Sequence, residues 1–95
     1  MKLKMLIVDP TDNVGTALVE LQPGDTVGQR LPGGEVTVVV QEPIPYGHKI
    51  ALCDIAAGEQ IRKYGAPIGR ARCDIRAGAH VHLHNLATQR VQGLQ

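Results

Sequence analysis

Three of the four histidines in this chain lie in one short run, Ala79-His80-Val81-His82-Leu83-His84-Asn85. The alternation places Ala79, Val81 and Leu83 on one side and His80, His82 and His84 on the other, the pattern of a half-buried strand. Imidazole titrates near neutrality and is the commonest protein metal ligand, so such a row offers proton transfer or metal ligation. A solvated polar face would show the same spacing. The fourth histidine, His48, follows Gly47 and precedes Lys49. Lys49, Lys63 and Tyr64 could add a cationic clamp and a hydroxyl donor for a small anion. Each also reads as ordinary surface or core.

The elements that must position these groups are short and rich in turns. The chain has 95 residues, with 11 Gly and 6 Pro but no Phe or Trp, so its single small core is aliphatic. Formal charge is +1 and neither a basic run nor aromatic interleaving occurs, which excludes a nucleic-acid surface. The apolar run Met5–Val8 is too short for a membrane span or signal core, so a cytoplasmic protein with no membrane partner is expected. Cys53 and Cys73 do not form a C-x-x-C pair and read as free buried thiols.

Met5–Val8, ended by Asp9-Pro10, reads as a first strand. Val14, Ala17, Leu18 and Leu21 fall on one helical face, which predicts a short helix capped by Thr11 or Asp12 and stopped at Pro23-Gly24. Gly15, Thr16 and Val19 argue against it. Glu35–Gln41 is the strongest strand signal, and Pro43 and Pro45 mark a loop or edge. An internal repeat follows: Cys53-Asp54-Ile55-Ala56-Ala57-Gly58 matches Cys73-Asp74-Ile75-Arg76-Ala77-Gly78, with a weaker copy at Leu21–Val27. Each copy reads as strand end, tight turn and re-entering strand. A domain over 1–87 and a polar tail over 88–95 are expected, the tail frayed unless a partner holds it.

In order along the chain, Asp12-Asn13-Val14, Gly47-His48-Lys49-Ile50-Ala51-Leu52, Ile55 with Gly58-Glu59, Lys63-Tyr64-Gly65, Ile68-Gly69, and Gly78 with Val81-His82-Leu83-His84-Asn85 resemble the N-terminal domain of the altronate and galactarate dehydratase family. That family also includes the sulfolactate sulfo-lyase small subunit. The resemblance implies a mainly β, SAF-type β-clip domain with one short helix. It further implies a lyase that eliminates a β-substituent from an α-hydroxy acid to give a 2-keto acid. His48, Lys63, Tyr64, His82 and His84 are then the expected catalytic residues, and Asn13, Lys49 and Asn85 the expected substrate contacts. No metal ligand is assigned to this chain. The divalent metal, with iron the expected ion, would sit mainly on a large partner subunit. His80 falls at a variable position and reads as solvated, and Asp9 stands where many members carry a histidine. The two leading readings are the small subunit of a sugar-acid dehydratase and that of a sulfolactate sulfo-lyase. A non-catalytic SAF-type binding module is a third, and a metal carrier using the histidine row ranks last, because imidazoles on a flat strand splay apart. His48, Lys63-Tyr64 and His82/His84 are expected to converge on one face.

Overall fold

The computed structural model describes residues 3–88. Nine strands form three antiparallel sheets, and no helix occurs among the described residues. The strands are β1 (Met5–Leu6), β2 (Val14–Ala17), β3 (Thr26–Leu31), β4 (Gly34–Val39), β5 (Lys49–Ala51), β6 (Gln60–Lys63), β7 (Ala66–Ala71), β8 (His80–Val81) and β9 (Leu86–Thr88). The mainly β fold expected from the resemblance is therefore present. Thr88 closes β9, and residues 89–95 of the expected tail lie outside the described residues.

The sheet β1-β2-β5-β8 is the middle layer. Side chains on successive strand residues point to opposite faces, so this sheet feeds two cores. Ala17 and Ile50 join Met5, Leu21, Ile44 and Val40 on one side, beneath the β3–β4 hairpin. Val14, Ala51 and Val81 join Ile55, Ile61, Ile75 and Leu86 on the other, beneath the β6-β7-β9 sheet.

The helix expected from Asp12 is not formed. Its residues Val14–Ala17 are β2, paired to β1 on one edge and β5 on the other. The helical spacing of Val14, Ala17, Leu18 and Leu21 was coincident with strand burial on two faces. Gly15 settles the local competition, since a Cβ there would come within 2.7 Å of Met5 Cγ. That close approach suits the centre of a sheet.

The repeated turn occurs four times. Leu21–Gly24, Ile44–Gly47, Ile55–Gly58 and Ile75–Gly78 each run from a buried aliphatic residue to a glycine with φ between 85° and 91°. The copy at Ile44 was hidden in the sequence by its flanking prolines. The turns work in pairs: Leu21 exchanges backbone hydrogen bonds with Ile44, and Ile55 with Ile75. In the second pair, Asp74 accepts from the Ala57 amide and Asp54 from the Ala77 amide, both at 2.9 Å. Those carboxylates are thus committed to holding the turns together. Both cysteines are free as expected, but exposed rather than buried, because each precedes a turn instead of entering a core. Partial burial, with Glu59 and Asp54 nearby, pushes the Cys53 thiol up and keeps it poorly nucleophilic at neutral pH.

Candidate functional site: an imidazole cluster at the end of the middle sheet

Strand β8 ends at Val81, sooner than the alternation suggested. Residues 82–85 turn instead, with the His82 carbonyl accepting from the Asn85 and Leu86 amides at 3.1 and 2.9 Å. Leu83 consequently points out and is 67% exposed. Asn85 causes the turn. Its buried side chain accepts from the His82 amide at 2.9 Å and donates to the His80 carbonyl at 2.8 Å.

Strands β5 and β8 pair Lys49 with Val81 and Ile50 with His80. Continuing that register one step puts His48 opposite His82, and their rings stack with centroids 4.0 Å apart. His80 lies diagonally across and meets His48 ring to ring, Nδ1 to Nε2 at 2.8 Å, one donating and the other accepting. The His80 backbone amide donates to the Glu42 carboxylate at 2.9 Å. His84 sits beside His80 at 5.2 Å between centroids. The structure therefore gathers all four histidines, and His80 is a half-buried member of the cluster rather than a solvated bystander.

Burial, followed by the charges of His48 and His84, holds His80 below the ordinary imidazole value, with Glu42 opposing. Desolvation, then His48, Lys49 and His84, depresses His82 as well, and its Nδ1 is buried without a hydrogen-bond partner. Neutral rings result at pH 7, the form that accepts a proton or binds a metal. Because both folded-state values are depressed, the domain keeps its full stability above the unfolded value of about 6.5 and loses it as pH falls below that. The melting temperature should drop between about pH 7.5 and about pH 5.5, and the drop should shrink in His80→Gln. A drop unchanged by that substitution would exclude the imidazoles as its source.

Among the described residues, Lys63 and Tyr64 make no hydrogen bond or ring stacking with the histidines. Lys63 ends β6, and Tyr64-Gly65 is the tight turn into β7, with positive φ at both residues. Asp12 holds this turn by accepting from the Tyr64 and Gly65 amides at 3.0 and 2.8 Å. The Lys63 ammonium lies 4.8 Å from the centre of the half-exposed Tyr64 ring. Lys49 links the two groups. Burial first, then the charge of Lys63, lowers its pKa, while its own charge depresses His82. Strand alternation nonetheless turns Lys49 to the sheet face opposite His48.

Asn13 donates to the Gln60 carbonyl at 2.9 Å and accepts from the Arg62 amide at 2.7 Å, so it fastens β2 to β6. Asn13 and Asn85, expected as substrate contacts, thus spend their described hydrogen bonds on backbone. Asp9 accepts from both the amide and hydroxyl of Thr11, which lowers its pKa.

Residues 3–89 match the family described as the altronate/galactarate dehydratase SAF domain. The chain belongs to this family. The SAF domain is 42% identical over 86 residues to the altronate dehydratase of Escherichia coli, covering 90% of this chain and 17% of that enzyme. It is 38% identical over 96 residues to the (2R)-sulfolactate sulfo-lyase subunit alpha of Chromohalobacter salexigens, covering 95% of this chain and 99% of that one. The galactarate dehydratase (L-threo-forming) of Escherichia coli is 44% identical over 64 residues, or 67% of this chain and 11% of that enzyme. The SAF domain therefore spans a small part of the dehydratases and nearly all of the sulfo-lyase subunit. No helix among its described residues is long and apolar enough to cross a membrane.

The family's expected divalent metal can be tested against these side chains. One nitrogen from each of His48, His80 and His82 lies within 4.8 Å of the others. Imidazole sets of this kind suit zinc, iron, cobalt or nickel and do not suit magnesium or calcium. The residues fit such an ion.

Proposed function

We propose that this chain is the small subunit of a two-chain lyase that removes water from a sugar acid to give a 2-keto-3-deoxy acid. The observation that carries this reading is the imidazole cluster at the end of β5 and β8, in a chain of this family. Elimination breaks a C–H bond α to a carboxylate and a C–O bond at the β carbon, and the resulting enol tautomerises to the 2-keto acid. The first step needs a proton acceptor, and the neutral ring of His82 or His80 supplies one, with His84 completing the exposed edge of the cluster. Lys49 lies on the other face of the sheet but its charge reaches His82, so it and Lys63 act through their field rather than by contact, offsetting the charge that develops as the proton leaves. The Tyr64 hydroxyl is an exposed donor beside Lys63 for a substrate oxygen. A divalent metal in the assembled site would polarise the substrate oxygens as a Lewis acid. A large partner subunit of the same family completes the site, and a small anionic hydroxy acid is the substrate.

A second reading, sulfite elimination from sulfolactate, is favoured by one observation: the match runs over 99% of the sulfo-lyase subunit alpha. The two reactions share the C–H step and differ in the leaving group. Both are tested by purifying the tagged chain from its native extract and assaying the complex. Altronate or galactarate yielding a 2-keto-3-deoxy acid supports the first reading, and sulfolactate yielding sulfite supports the second. The chain alone is expected to turn over neither. Turnover by the isolated chain with metal added would refute the subunit arrangement, and a complex inactive on all three acids would refute the lyase.

A further inference from the structure

The family resemblance implies a metal mainly on a partner subunit, and a metal carrier ranks last in the sequence because imidazoles on a flat strand splay apart. That second argument does not apply to the folded chain. The strand stops at Val81, His82 opens the turn over residues 82–85, and His48, just before β5, faces it from across the ladder. We propose that His48, His80 and His82 form a three-imidazole site for a divalent first-row metal, built entirely within this chain.

The distances favour it. Two imidazole nitrogens on one metal, each at ~2.0–2.1 Å, stand roughly 3 Å apart. His48 Nδ1 and His80 Nε2 are already 2.8 Å apart, and one nitrogen from each of the three rings lies within 4.8 Å of the others. The three rings are now nearly parallel, 9° to 21° between planes, so their lone pairs do not yet meet at one point. Opening the His48–His80 hydrogen bond and turning the rings about their side-chain bonds would close the set. The His82 Nδ1, buried and without a partner, makes the present orientation of that ring costly to keep. The backbone beneath is fixed: Asn85 clamps the His80 carbonyl and the His82 amide, and Glu42 holds the His80 amide. Such support behind a ligand is what sets metal affinity. Three protein ligands leave coordination positions open, as in catalytic rather than structural sites.

This inference stands on the geometry of the chain and does not depend on the lyase reading. Its test is binding, not turnover. The full 95-residue chain, stripped of metal, is titrated with Co²⁺ by visible absorption and with Zn²⁺ by calorimetry. One equivalent is expected to bind. His48→Ala, His80→Ala and His82→Ala should each weaken binding by at least ~10–100-fold while circular dichroism stays unchanged. A Cys53→Ser/Cys73→Ser double variant should bind as the parent does. Should a histidine variant fail to fold, ¹H–¹⁵N spectra of the parent decide, since Zn²⁺ must move the ring nitrogens of His48, His80 and His82. No binding, binding that survives the three histidine variants or is lost with the cysteines, or ring shifts confined to His84 would each overturn the proposal.

Discussion

In the proposed complex of this chain with a large partner, His82→Ala is expected to lower turnover by ~10²–10⁴-fold, the range for losing a positioned proton carrier. His82 is the ring that stacks on His48 at 4.0 Å, in register across β5 and β8. Its depressed pKa keeps it neutral at working pH. The variant should stay folded, because the Asn85 bonds that shape the turn go to backbone atoms at His80 and His82. Metal content of the purified complex then separates two roles for the ring. A fall in metal parallel to the fall in turnover marks a ligand, as inferred above. Retained metal with a changed acid limb of the pH–rate profile marks a base. Turnover within about threefold of the parent would remove His82 from the site, since a placed acid or base contributes far more.

Gly78→Ala should be the most damaging glycine-to-alanine change among the described residues. Gly78 is buried with φ +88°, and an added Cβ would lie 2.0 Å from the Val39 carbonyl oxygen. Left-handed strain and overpacking against backbone each cost ~1–3 kcal/mol, which together approach the total stability of a small domain. The Gly78 amide donates to the Ala51 carbonyl, and its own carbonyl accepts from Gln41. The substitution therefore displaces the start of β8 and His80 with it. Gly58 occupies the matching place in the partner turn, with φ +86°, yet nothing lies within 4 Å of its added Cβ. Gly58→Ala should cost only the backbone strain, ~1–3 kcal/mol. Denaturant melts of the two variants test this, and equal losses would show that the Val39 contact is not what matters.

Much of this was legible in the sequence because it depends on local chemistry. Ile-x-x-Gly turns announce themselves through glycine, and the β3–β4 hairpin through its valines. The short helix was misread at Val14–Ala17 because periodicity cannot register a strand buried on both faces, where apolar residues need not alternate. His80 reads as solvated in the sequence because it falls at a variable position of the family, and its place in the cluster depends on long-range pairing. Its partner His48 lies 32 positions away, and only the Ile50–His80 register brings the two rings together. Likewise, Asn13 and Asn85 carry side chains suited to substrate, and only the fold shows how much of their hydrogen bonding goes to backbone.

The order β1-β2-β5-β8 in the middle sheet also governs when the cluster comes into being. Distant pairings of this kind form late and slowly, on a millisecond-to-second scale, because loop closure must precede any gain from contact. During synthesis, His48 emerges roughly 2–6 s before His80 at ordinary translation speeds. Until β8 is made and docks on β5, His48 has no imidazole to meet. A chain whose histidines have come together has therefore already docked β8, the last strand of its middle sheet. A nascent or misfolded chain offers a metal at most isolated imidazoles, so tight metal capture at this cluster would be confined to molecules that have finished folding.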